Sequence, residues 1–314
     1  MSTPISRRAL IATGAAAAVA AAPVNEPRQS TPICGFSKHF QWLPIPEAAK
    51  LAKEIGYDGL DLTVRAAGHV LPERVADDLP KAAEAIRAAG LSLPMITAGI
   101  VDVRSPHAAA ILETSSALGI KRYRWGGFRY DAKKPVVRQI AEFKAMSKDL
   151  AALNKQFGMC AMYHTHSGAG QFGASIWDIW EVLRDLDNNA VSLNLDVGHA
   201  TVEGGLGGWI NSTRLTGSMI RGVAFKDFRW EKKRGKWDAR WCALGEGMVN
   251  FPQFAAMLKD AGFQGPIQLH MEYEEVGDAH AGKPSMSISK EEFVRLCKAD
   301  LAALRGYLRP AGLA

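Results

Sequence analysis

The chain has 314 residues, is 47% hydrophobic and 22% charged, and carries a formal net charge of +6, a profile that supports a globular protein with a substantial core. So mild a charge excludes a strongly basic nucleic-acid binder. The one basic run with aromatics, residues 229–240 (RWEKKRGKWDAR), also holds two acids and reads as a solvated loop. Cys34, Cys160, Cys242 and Cys297 are scattered without CxxC or zinc-ribbon spacing, so no disulfide framework is expected, and Cys34 and Cys160 read as small core hydrophobes.

The chain opens with Ser6-Arg7-Arg8 ahead of an Ala-rich stretch, residues 10–22, and then turns polar. That stretch is too short and too weakly apolar for a stable membrane anchor. A basic start, an apolar middle and small residues at 20–22 describe an export signal, and the paired arginines resemble the twin-arginine kind. The expected organisation is a signal over 1–22, a linker over 23–32, one domain over 33–307 and a tail over 308–314. The mature protein would be periplasmic or otherwise exported.

From Ile33 the chain alternates strand and helix. Strand 33–36 leads to helix 46–55, stopped by Gly56; strand 59–64 leads to helix 80–89, stopped by Gly90. Strand 93–97 precedes helix 107–118, strand 121–125 precedes helix 136–157, and strand 159–163 precedes helix 176–186. Strand 191–196 runs into a Gly-rich loop, 203–208, and a short helix, 213–219. Strand 222–225, helix 252–261, strand 267–271 and helix 290–307 complete the series. Eight such units predict an α/β fold, a single closed (β/α)8 TIM barrel. An open doubly wound sheet is disfavoured because no GxGxxG follows the first strand.

In a barrel of this kind, chemistry sits at the C-terminal ends of the strands. Those ends carry Lys38 and His39, Arg65 and His69, Arg124, His164 and His166, Asp196 and His199, Lys226 and Asp227, then His270 and Glu272, which accounts for six of the eight histidines. The stretch VSLNLDVGHA (residues 191–200) is the sharpest case, a buried apolar strand that ends on Asp196 with His199 three residues on. His164 and His166 share strand parity, as do His270 and Glu272, and Ala224 and Lys226. Imidazoles and a carboxylate converging from three strands are ligand types for a divalent metal such as Mn, Zn, Fe or Mg.

At this level of detail the chain resembles the sugar phosphate isomerase/epimerase family with the xylose-isomerase-like barrel. The resemblance rests on YDGLDL (57–62), NLDVGH (194–199), Lys226-Asp227, LGEGMVNF (244–251) and GFQGPIQLHMEY (262–273), and spans roughly residues 35–307. It implies one divalent metal held by Glu, Asp, His and Glu from the fifth to eighth strands. Carried over by position, only Asp196 is retained: the fifth-strand Glu reads His164, the seventh-strand His reads Ala224, and the eighth-strand Glu falls on His270.

The expected metal set is therefore His164, Asp196 and His270. Glu272, Lys226 and His199 are the catalytic candidates, with Glu272 the nearest base. Lys38, Arg65, His69 and His166 are candidates for holding substrate hydroxyls or an anionic group. The expected function is an exported isomerase or epimerase that takes a proton beside a carbonyl of a small-molecule carbohydrate. A keto-sugar lyase on the same scaffold and a non-catalytic sugar-binding barrel are the alternatives. No nucleic-acid partner and no stable membrane anchor are expected, and homo-oligomerisation is left open.

Overall fold

The computed structural model describes residues 31–314; the expected export signal and most of the linker fall on residues 1–30, outside the described part. Its strands are β1 (Ile33–Phe36), β2 (Gly59–Val64), β3 (Ser92–Ala98), β4 (Arg122–Trp125), β5 (Cys160–His164), β6 (Val191–Asp196), β7 (Ile220–Phe225), β8 (Asp227–Lys233), β9 (Lys236–Cys242) and β10 (Ile267–Leu269). All but β8 and β9 run parallel and close a barrel in the order β1-β10-β7-β6-β5-β4-β3-β2. The helices between them are α1 (Ile45–Ile55), α2 (Val75–Ala88), α3 (Ala108–Ala117), α4 (Val136–Phe157), α5 (Trp177–Leu183), α6 (Val197–Gly204), α7 (Gly208–Thr216), α8 (Phe251–Asp260) and α9 (Lys290–Leu308). The (β/α)8 expectation holds, and all four cysteines are free and buried.

The barrel follows from short apolar strands that are buried on both faces, such as β2, β5 and β6, packed under helices with one apolar side. Among the described residues no helix is long and apolar enough to cross a membrane. The final residues are docked: Leu313 is buried, and its carbonyl accepts a hydrogen bond from the Thr31 hydroxyl at 2.7 Å.

Three local expectations need correction. Helix α2 starts a turn before Pro80, because Asp77 and Asp78 fill its first turn, where the positive end of the helix favours acids. The Gly-rich loop is shorter than expected: Asp196 caps α6, which runs on to Gly204, Gly205 takes φ +53°, and only residues 205–207 separate α6 from α7. The basic run after β7 is an antiparallel hairpin of β8 and β9. Arg234 and Gly235 both take positive φ (49° and 82°), which gives the two-residue turn whose twist suits a hairpin.

Candidate active site at the barrel mouth

Asp196 ends β6 and caps α6, its Oδ1 accepting from the His199 backbone N–H at 3.0 Å. Gly198 lets that helix start lie flush on β7, since a Cβ there would meet the Lys226 carbonyl oxygen at 2.7 Å and Cγ at 2.8 Å. The DVGH sequence is therefore a cap, a close approach and a histidine in one turn. Asp196 Oδ2 points the other way. It lies 3.6 Å from His164 Nε2, 3.6 Å from His270 Nδ1 and 3.6 Å from Lys226 Nζ.

These separations are too long for hydrogen bonds. Asp196 Oδ2, both ring nitrogens of His270 and Nδ1 of His164 are buried without partners, an arrangement that costs about 1–3 kcal/mol per orphaned atom. The ligating atoms of His164, Asp196 and His270 all lie within 4.8 Å of one another. Three atoms that bind one ion at about 2.0–2.2 Å sit roughly 3–4 Å apart, so the trio fits a small divalent cation. Burial holds both histidines below their ordinary 6.5, in the neutral form that ligates. Burial raises the Asp196 carboxyl, but Lys226 and His199 more than reverse this and keep it a carboxylate. Ala224 supplies no fourth ligand, and the outer nitrogens of His164 and His270 lack the anchor that usually orients a ligating imidazole. The donor set is thus a three-ligand one with open positions.

Beside it runs a chain of charged groups. Lys226, 2% exposed, donates to Glu272 Oε2 at 2.7 Å, and Lys38 donates to Glu272 Oε1 at 2.9 Å. Burial raises the Glu272 carboxyl, yet the two lysines hold it well below the usual 4.5. Lys226 Nζ also sits 2.6 Å from His199 Nε2 and 4.0 Å from the centroid of Trp241. His199 Nδ1 accepts from the Ser167 N–H at 3.0 Å, so the hydrogen of the neutral ring is on Nε2, facing Lys226.

His166 reaches the cluster, with its ring centroid 4.8 Å from that of His164 and its Nε2 3.2 Å from Arg124 Nη2. Arg65 stands over the Phe36 ring at the mouth. His69 does not reach the centre: its Nε2 meets the Leu43 carbonyl at 3.2 Å and its Nδ1 the Ser37 hydroxyl at 3.3 Å. His39 likewise serves the scaffold, bonding the Ala279 carbonyl through Nδ1 and accepting the Met271 N–H at Nε2. Asp227 is a structural pin whose carboxylate accepts four backbone N–H groups, from Phe228, Gly245, Gly247 and Val249, and so folds LGEGMVNF against β8.

Sequence reasoning passed over Trp241 because its hairpin read as a loop. Arg124 was visible as a strand-end cation but had no pattern assigning it a partner. Ser167, the residue after His166, had no signal that tied it to His199.

A family model described as xylose isomerase-like TIM barrel matches residues 49–293. Among curated proteins, no sequence matches the chain significantly. Solved structures resemble it at low identity. D-psicose 3-epimerase from Clostridium cellulolyticum H10, solved with D-tagatose, is 12% identical with a TM-score of 0.67, over 88% of this chain and 99% of its own. A xylose isomerase-like barrel from Mycobacterium smegmatis, in complex with magnesium, is 14% identical with a TM-score of 0.64, over 90% and 98%. The 3-keto-D-glucoside 4-epimerase YcjR from E. coli is 15% identical with a TM-score of 0.61, over 88% and 99%.

Proposed function

The chain belongs to the xylose isomerase-like TIM barrel family, and from that premise we propose that it is a metal-assisted enzyme that moves a proton beside a carbonyl of a carbohydrate, as an isomerase or epimerase. The observation that carries this reading is the buried His164–Asp196–His270 trio, whose ligating atoms lie within 4.8 Å of one another, with Asp196 Oδ2 and His270 Nδ1 unpartnered. A divalent ion held there supplies a Lewis acid for a substrate oxygen. The protein supplies the rest. Glu272, with its side chain 23% exposed, is the carboxylate of the cluster that faces the mouth. Glu272 is the group placed to take the substrate proton, its Oε2 bonded to Lys226 Nζ and its Oε1 to Lys38 Nζ. Lys38 and Lys226 hold the carboxylate in place and stabilise negative charge that develops near it.

One observation favours a second reading. Positions that carry glutamate in the resembled family carry His164 and His270 here, so the pair of glutamates is replaced and Glu272 is the carboxylate bonded into the lysine cluster. One-sided proton chemistry suits a lyase, in which a proton leaves beside a carbonyl and a β-substituent then departs.

Protein purified without chelator should contain close to one divalent ion per chain, and His164→Ala and His270→Ala should each lose it. In deuterated water, NMR of D-fructose, D-tagatose and D-allulose should show deuterium entering the carbon beside the carbonyl only with the wild type. A metal-free wild type that exchanges nothing across this panel would sink the reading; exchange with elimination products would select the lyase.

The export reading rests on Arg7-Arg8 and the Ala-rich stretch after them. Replacing both arginines by lysine should trap precursor in the cytoplasm, and full-length protein in the cytosol of the unmodified strain would overturn it.

A further inference from the structure

Arg65, just beyond β2, and Arg124, in β4, stand over the same ring, their guanidinium carbons 5.9 and 5.4 Å from the Phe36 centroid. Two like charges brought this close repel unless something negative answers them. Among the described residues no carboxylate makes a hydrogen bond or ion pair with either, although Asp61 acts on both through space. The nearby carboxylates are committed elsewhere: Glu272 to Lys38 and Lys226, Asp61 to the Thr97 hydroxyl and the Gln268 amide, Asp196 to its cap and the ligand trio. Arg124 gives Nη2 to His166 Nε2 at 3.2 Å, while its Nη1 is shut off from solvent with no partner. A guanidinium donor that is dry and unmatched is costly, and it presents the edge that recognises oxyanions.

We propose that Arg65 and Arg124 clamp a carboxylate of the substrate, so that the carbohydrate handled at His164–Asp196–His270 is a sugar acid. This deepens the metal-assisted reading and rests on it for the reacting end of the molecule. Neither Phe36 nor His166 answers Arg124 Nη1, so a donor remains for an oxyanion beside the Arg65 guanidinium. A carboxylate is the better occupant than a phosphate because Nη1 is recessed: a dianion with a heavy hydration shell loses more on entering a dry pocket than a planar monoanion does. His166 ties the clamp to the ligand trio, bonding Arg124 on one side with its ring 4.8 Å from that of His164 on the other. The anionic group and the reacting carbon therefore belong to one sugar-sized molecule.

The test is calorimetric titration at fixed ionic strength with D-glucuronate, D-glucose and D-glucose 6-phosphate. Wild type, Arg124→Gln and Arg65→Gln are each titrated as purified and after chelator treatment. Wild type should prefer glucuronate over glucose by about tenfold or more. Arg124→Gln should erase that preference and Arg65→Gln should cut it, while melting curves report whether each variant is folded. If Arg124→Gln does not fold, the half-buried Arg65 decides. Chelation should leave the preference standing, because it belongs to the arginines; loss of metal with the preference kept separates this clamp from the metal reading. Equal affinity for acid and neutral sugar, a preference unchanged in both variants, stronger binding of the phosphate ester, or a preference that vanishes only on chelation would each overturn the clamp. A wild type that binds none of the three sugars overturns it too.

Discussion

Asp61 and Asp196 are both fully buried carboxylates in the same barrel, and they have opposite fates. Asp61, in β2, has its oxygens answered by neutral donors, the Thr97 hydroxyl at 2.7 and 2.9 Å and the Gln268 amide at 2.8 Å. Burial pushes its pKa up to about 6, against the pull of Thr97 and of Arg124. Asp196 has one oxygen capped by a backbone N–H and the other facing two histidines and a lysine at 3.6 Å with no bond to any of them. The lysine keeps it ionised despite burial. The lesson is that depth does not make a carboxylate functional. What marks Asp196 is lone-pair capacity left unused inside a ring of groups able to share a cation. The two are linked through β6, where Asn194 Nδ2 donates to the Gln268 side-chain oxygen Oε1 at 2.8 Å and so braces the Asp61 network beneath the site.

The largest effect that tests this contrast is on turnover. Asp196→Asn should remove bound metal and lower kcat by about 10²-fold or more, since the Lewis acid depends on that carboxylate. Asp61→Asn should keep metal and activity within a few-fold, because an amide can answer Thr97 and Gln268 in the same places. Metal analysis and kinetics on the two variants side by side check it. Equal losses would erase the distinction drawn between the two carboxylates.

How far each was legible beforehand differs for physical reasons. Asp196 stood out because an apolar strand turned polar in one step and His199 followed at the cap spacing, and the closed barrel itself was readable from eight alternating units. The trio His164, Asp196 and His270 was readable from strand ends once a barrel was assumed. The assignment of His69 to substrate was not reliable, because sequence shows that an imidazole is near a strand end and not which carbonyl it meets; here that is Leu43. Lys226-Asp227 shows the same limit. Adjacent residues point to opposite sides of a strand, one into the site and the other into four backbone N–H groups, three of them from LGEGMVNF. The hairpin that carries Trp241 was hidden because its charged, half-exposed strands look like loop composition, and only the paired positive φ at Arg234-Gly235 marks the turn. Arg124 needed three dimensions, since its significance lies in what fails to meet it.

A smaller effect sharpens the comparison through stability. Asp61 carries a pKa raised by burial from 3.8 to about 6, so the folded state holds its proton where the unfolded chain has released it. Its contribution is full below about pH 4 and is lost as pH rises toward 6, at about 1.4 kcal/mol per unit and at most roughly 3 kcal/mol in all. Asp300, also raised to about 6 by burial and bonded by the Tyr273 hydroxyl at 2.9 Å, acts with the same sign. Buried histidines act oppositely: burial lowers His39 and His166 to about 3, so they destabilise the fold as pH falls below 6.5. The net curve therefore hides the carboxylate term, and a difference between variants isolates it. Urea unfolding of wild type and Asp61→Asn from pH 4 to 7 should show the variant gaining on the wild type as pH rises, with the gap level above about pH 6.5. Asp196→Asn should instead keep a nearly level gap across this range, because a carboxylate held low stabilises at neutral pH and loses that contribution only below about pH 4. Parallel curves for wild type and Asp61→Asn would mean that Thr97 and Gln268 stabilise the charged form as well as water does, and the contrast between the two buried carboxylates would then rest on ligation alone.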